Sequence, residues 1–139
     1  MRIWSDEPAV DLQSDVSGLI SNEMFVEHLL PALEAQTNMV SRTVYHLDGP
    51  DALRHLDSLL ELPNLDATQW VQGAGAPRAS EWTDVMKRIR AGGKSLYVYC
   101  EPDEVLPIFD RIDPAGVMPV AQCKSEEEAR GILRQLREQ

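Results

Sequence analysis

Cations are scarce in this chain: 13 Lys and Arg stand against 23 Asp and Glu, for a formal net charge of −10 and a sequence pI near 4.6. A nucleic-acid or anionic-membrane surface needs clustered positive charge, so neither partner is expected. Cysteine is scarcer still. Cys100 and Cys123 are isolated rather than arranged as CxxC, so no disulfide framework is expected and both read as small, buried, reduced residues. No apolar run approaches the roughly 20 residues that span a bilayer, and Met1-Arg2-Ile3-Trp4-Ser5-Asp6 lacks the apolar stretch of a signal peptide, which makes the cytoplasm the expected location. No HExxH, GxSxG or EF-hand pattern occurs.

What is present is ordinary globular material. Over 139 residues, 43% are hydrophobic and 26% charged, enough for the core of one domain covering residues 1–139. Val10-Asp11-Leu12-Gln13 alternates like a short strand, while Asp15, Ser17 and Gly18 read as a loop. Ser21 is placed to cap a helix whose apolar positions are Phe25, Leu29, Ala32 and Leu33. Pro31 should kink that helix without ending it, because the periodicity runs on to about Met39.

From residue 41 onward, strand and helix signals alternate four times. Val44-Tyr45-His46-Leu47-Asp48 reads as a strand, and Pro50 fits the first position of a helix carrying Leu53, Leu56, Leu59 and Leu60, with His55, Asp57 and Glu61 on its flanks and outer face. Asp66 to Gln72 reads as the next strand; a helix capped by Ser80 follows, with Trp82, Val85, Met86 and Ile89 inward and Gly92-Gly93 at its end. Leu96-Tyr97-Val98-Tyr99-Cys100 is the clearest strand. Its helix uses Val105, Leu106, Phe109 and Ile112, and Pro107 should delay or bend it. Val117 to Gln122 is the last strand, before a helix capped by Ser125 with Glu126, Glu127 and Glu128 in its first turn and Arg134 and Arg137 near its end. This alternation predicts an α/β fold with parallel strands and right-handed crossovers, either an open sheet or a barrel.

In such folds ligands lie at the C-terminal ends of the strands. His46 and Asp48 share one face of their strand and could act as an acid/base pair or as two metal ligands; equally, Asp48 could simply start the next helix and His46 be a hydrogen-bonded interior group. Gln69, Trp70 and Gln72 end the next strand, and Tyr97, Tyr99 and Glu101 share a face of the one after. Together they suit an aromatic-walled pocket, or else Trp70 and the tyrosines fill the interior. Gly92-Gly93-Lys94-Ser95 imitates a phosphate loop but precedes a strand, so it reads as a helix C-cap. Gly73-Ala74-Gly75 lacks a third glycine and runs into Pro77, which argues against a dinucleotide loop.

The runs Ser21-Asn22-Glu23-Met24-Phe25 to Pro31, Val44-Tyr45-His46-Leu47-Asp48-Gly49-Pro50, Leu65 to Gly75 and Ser125-Glu126-Glu127-Glu128-Ala129 resemble the C-terminal half of uroporphyrinogen decarboxylase-like proteins. That superfamily adopts a (β/α)8 barrel and includes zinc-dependent, corrinoid-linked methyltransferases. Since a complete barrel takes about 250 residues, the resemblance implies four or five βα units, half of a TIM-type barrel. The methyltransferase motif His-x-Cys-Gly aligns with His46-Leu47-Asp48-Gly49, and Cys123 stands near the family's later cysteine, so the implied zinc set is His46, Asp48 and Cys123. The decarboxylase needs no metal and draws basic groups from an N-terminal half that has no counterpart in this chain.

The resemblance therefore implies a truncated half-barrel that pairs as a homodimer or with a complementary half-barrel chain. It would bind a small molecule around His46, Asp48, Gln69, Trp70, Tyr99 and Glu101, without independent decarboxylase activity. A zinc-dependent methyltransferase-type enzyme, a subunit of a split enzyme, and a purely structural or interaction protein are the alternatives.

Overall fold

A computed structural model describes residues 3–138; Met1, Arg2 and Gln139 lie outside the described residues. Five strands form one all-parallel sheet in sequential order: β1 (Ala9–Gln13), β2 (Arg42–Asp48), β3 (Ala67–Val71), β4 (Ser95–Cys100) and β5 (Val117–Ala121). Helical segments separate them, giving the α/β half-barrel arrangement. When every crossover is right-handed and advances in one direction, all connecting helices fall on the same face of the sheet. The core shows this: Leu12, Tyr45, Leu47, Trp70, Leu96 and Val98 from one sheet face join Phe25, Leu56, Leu59, Met86, Ile89 and Ile108 from the helices in a single cluster. Among the described residues no helix is long and apolar enough to cross a membrane.

Pro31 is absorbed as the periodicity predicts. The helix opens with Asn22–Met24, where the Ser21 hydroxyl accepts from the Met24 N–H, widens to a π-type segment over Phe25–Leu29, and continues as Leu30–Thr37. The Leu30 N–H reaches back to the Phe25 carbonyl, a wider turn than an α-helix makes and a known way of absorbing a break in the ladder. Pro107 likewise sits in a late-starting segment, Val105–Phe109, preceded by the 3-10 turn Pro102–Glu104.

Two local expectations are corrected. Ser80 does not cap a helix: it lies inside the 3-10 turn Ala79–Glu81, its N–H and hydroxyl both donate to Glu104, and the α-helix starts at Thr83. His55 is fully buried rather than on an outer face. The reason is pitch: Pro50–His55 is 3-10, so Ala52 and His55, three apart, eclipse each other on the buried side before the α-helix Leu56–Leu60 begins. The His55 ring stacks on Phe25 at 4.2 Å, its Nε2–H donates to the Ser17 carbonyl at 2.8 Å, and its Nδ1 lies 3.1 Å from the Asn22 side chain. It thereby pins the 3-10 segment Asp15–Leu19 to the body of the protein.

Burial pushes the His55 imidazole below its ordinary value, more than the Ser17 bond raises it, with Arg54 adding to the depression. The unfolded chain then takes up that proton first, so stability is full above about 6.5, the ordinary histidine value, and falls as the pH drops below it. Thermal melts between pH 5 and 7 are expected to show this slope, and His55→Asn should flatten it; an equally steep slope in the variant would exclude His55 as its source.

Gly92 and Gly93 close the helix Thr83–Ala91 as the sequence indicates, with Gly93 at φ +78°. Lys94 behind them is buried and donates to the Leu62 carbonyl at 2.6 Å, so its ammonium is committed to the scaffold. At the far edge of the sheet, Leu96 N–H donates to the Gly116 carbonyl at 2.8 Å, and the two-residue period turns the backbone groups of Val117, Pro119 and Ala121 away from β4. Val117 N–H is taken by Pro114, and Pro119 has none to offer. The last helix, Glu126–Glu138, begins with the Glu128 N–H on the Ser125 hydroxyl and buries no residue fully among those described.

Candidate functional site

The sheet face away from the helices carries the polar side chains. Cross-strand register sets Gln13, His46, Gln69, Tyr97 and Met118 side by side in one row, and places Asp48 beside Val71 and Tyr99 beside Val120 one step nearer the C-terminal ends. Above that edge, β2 and β3 run into glycines. Gly49 at φ +79° and Gly73 at φ +84° adopt conformations that L side chains rarely tolerate, and the Gly49 N–H donates to the Val71 carbonyl at 2.8 Å, holding the two turns together.

His46 and Gln69 form the centre. Gln69 is almost completely buried, and its Oε1 accepts from His46 Nδ1 at 2.5 Å. A neutral imidazole carries one N–H, so this bond fixes the tautomer and leaves Nε2 with its lone pair free to accept. Asp48 Oδ2 lies 3.8 Å from that Nε2. The pair can therefore accept protons or N–H donors from a bound molecule, a general-base geometry with Gln69 as the group that orients it.

A small cavity of about 140 Å³ opens over this pair, lined by Asp11, Gln13, His46, Gln69 and Tyr99. Beside it lies a larger cleft of about 450 Å³ at the C-terminal ends of β3, β4 and β5, whose walls include Gln72, Arg78, Tyr99, Cys100, Glu101 and Glu104. Tyr99 stands between the two, half-exposed, its ring edge-on to that of Tyr97 at 5.3 Å. The larger cleft is held by charge. Arg78 donates to Asp103 at 2.6 Å and lies 3.5 Å from Glu104, and Glu104 accepts from Ser80 and from the Glu101 N–H. The Cys100 thiol is pushed up to about 12, by burial first and then by the carboxylates of Glu104, Glu101 and Asp103. It stays protonated at neutral pH and is no nucleophile.

Of the residues expected to bind ligand, His46, Asp48, Gln69 and Tyr99 come together on the open face, and Glu101 lines the adjoining cleft. Trp70 does not join them. As the neighbour of Gln69 along an extended strand it points to the opposite face, where it is fully buried against Trp82 at 5.2 Å. The resemblance-implied zinc set does not assemble either: Cys123 follows β5, with two strands between β5 and the β2 residues His46 and Asp48. Among the described residues no group of three His, Cys, Asp or Glu side chains is placed to hold a metal ion. Asp11 and Gln13 are additions that the alternation of β1 could have supplied once its register against β2 was known. Glu104 and Arg78 are further additions; apart from the local bond of the Glu101 N–H to Glu104, their partners Ser80 and Asp103 lie 24 and 25 residues away in sequence. Comparison of the chain with protein-family models, curated proteins and solved structures yields no match.

Proposed function

We propose that this protein is a uroporphyrinogen decarboxylase-like half-barrel that self-associates over the open face of its sheet and binds a small molecule at the C-terminal ends of its strands, without decarboxylase activity of its own. The observation that carries this reading is the polar face opposite the helix-packed core, where Val44, Gln69 and Tyr97 are buried but His46, Tyr99 and Met118 keep exposed surface. All-parallel sheets are covered on both sides in stable proteins, whereas the helix residues in this chain's core cluster all pack against one face of the sheet. The other side presents the His46–Gln69 pair together with apolar Val71, Met118 and Val120, a mixture that suits a barrel interior better than a solvated surface.

Charge is what supports the lack of decarboxylase activity in this reading. Among the described strand positions on that face, Arg42 is the one guanidinium and no lysine occurs; Arg42 pairs with Glu7 at 3.1 Å. A substrate bearing several carboxylates finds no free cation among those described strand positions. A second copy, or a complementary half-barrel chain, is the partner that would cover the face. Size-exclusion chromatography with light scattering at micromolar concentration is expected to give at least twice the chain mass of 15.6 kDa. A sharp monomer peak would overturn the self-association.

A further inference from the structure

The cleft at the C-terminal ends of β3, β4 and β5, about 450 Å³, falls within the size range of small-molecule sites, and its polar groups are of two kinds. Arg78 and Glu104 are committed to the scaffold: the guanidinium to Asp103 at 2.6 Å and to Glu104 at 3.5 Å, the buried carboxylate to Ser80 and the Glu101 N–H. Gln72 and Gln122 are not. Both line the cleft, and neither carboxamide takes part in a hydrogen bond among the described residues. Gln72 follows β3 and Gln122 follows β5, so the strands that carry them stand roughly 10 Å apart. Tyr99 lies on β4 between them, with 41% of its surface exposed and its ring braced edge-on by Tyr97. A braced, exposed aromatic ring is a platform on which a flat ligand stacks. A carboxamide sets a donor beside an acceptor, which matches the edge of a heterocycle whose amino group adjoins a ring nitrogen.

Charge narrows the class further. Glu101, Asp103 and Glu104 all act on the single guanidinium of Arg78, and the same three carboxylates reinforce burial in pushing the Cys100 thiol up. A phosphate or carboxylate group on the ligand would deepen that negative excess, and it would find no free cation among the described lining residues.

We propose that this cleft takes a flat nitrogen heterocycle of the adenine type, free of anionic groups, stacked on the Tyr99 ring and hydrogen-bonded along its edges by the Gln72 and Gln122 carboxamides. This rests on the reading of the strand ends as a ligand site and adds the chemical class of the ligand. A nucleoside meets these requirements, and the corresponding nucleotide is disfavoured by its phosphate.

The test titrates three probes into the full chain: adenosine, adenosine monophosphate, and purine riboside, which keeps the shape of adenosine but lacks its exocyclic amino donor. The Tyr99 ring resonances are followed by NMR and assigned by their loss in Tyr99→Leu. Adenosine is expected to shift them saturably and to bind about tenfold more tightly than purine riboside, whose missing donor leaves a carboxamide oxygen unpaired. The monophosphate should bind about fivefold more weakly than adenosine. Gln72→Ala and Gln122→Ala, the second at an exposed position where the fold should be untouched, are each expected to weaken adenosine about fivefold. Purine riboside or the monophosphate binding as tightly as adenosine, or adenosine binding unchanged in both glutamine variants, would overturn the adenine-type assignment while the ligand site itself stands. A Tyr99 ring that none of the three probes moves at millimolar concentration would overturn the ligand site along with it.

Discussion

Trp70→Ala is expected to cost about 3–5 kcal/mol, the range for removing a large aromatic side chain from a packed core. Trp70 has no exposed surface, sits among the helix-facing residues of the sheet and tilts against Trp82. Domains of this size hold roughly 5–15 kcal/mol of stability in all, so the variant should melt roughly 10–20 °C lower, as followed by circular dichroism. The indole Nε1 has no hydrogen-bond partner among the described residues, so Trp70→Phe loses volume without orphaning a partner and should fall well short of the alanine cost. Neither variant should displace the His46–Gln69 bond, since Trp70 and His46 lie on opposite faces. A melting point within about 3 °C of the parent for Trp70→Ala would mean the core is not built around this residue.

Glu104→Ala should be nearly as damaging, for a different reason. The buried carboxylate accepts from the Ser80 N–H, the Ser80 hydroxyl and the Glu101 N–H, each at 2.9 Å, and faces Arg78. It ties the segment after β3 to the turn after β4. Deleting it strands those donors and removes the counter-charge of Arg78, a loss of about 3–5 kcal/mol by analogy with broken buried ion pairs. Burial raises the Glu104 carboxyl, but the bonds from Ser80 and Glu101 together with Arg78 outweigh it and hold the group below the ordinary glutamate range. Its contribution is therefore full above the unfolded value near pH 4.3 and is lost as the pH falls through the lower folded value. Glu104→Gln keeps acceptor capacity, so it should cost less than alanine and make the acid limb of a denaturation profile shallower. Parent and Gln variant with superimposable acid limbs would remove Glu104 from the account.

Several elements were legible because their signals are local. The β-branched and aromatic run at Leu96–Cys100, the turn at Gly49-Pro50, the glycine stop at 92–93 and the Ser125 cap each depend on residues within a turn of one another, and all four stand in the structure. The sequential order of the sheet followed from the βα alternation. The site was half legible: the two-residue period put His46 with Asp48, but its bond to Gln69 depends on cross-strand register, which no short pattern encodes. Trp70 adjoins Gln69 along the chain, yet the same two-residue period places them on opposite faces. An α-helical stripe puts His55 on the flank, but the segment winds as 3-10, and a change from 3.6 to about 3 residues per turn rotates each later residue toward a different face. Glu104 could not be foreseen as a hub, since burial of a carboxylate depends on donors brought in by the fold.

The proline in the outermost strand has a bearing on how far assembly can go. A parallel sheet with two open edges has a built-in polarity: β5 of one molecule could seat β1 of the next, and repeating that step yields an open-ended filament instead of a closed particle. Pro119 stands in the middle of the edge where such growth would start, and the Val117 donor beside it is already engaged. Head-to-tail addition thus finds two of the three outward N–H donors of that strand missing or engaged. Association by way of the broad face, where two molecules present the same surface to each other and growth ends at a pair, carries no such penalty.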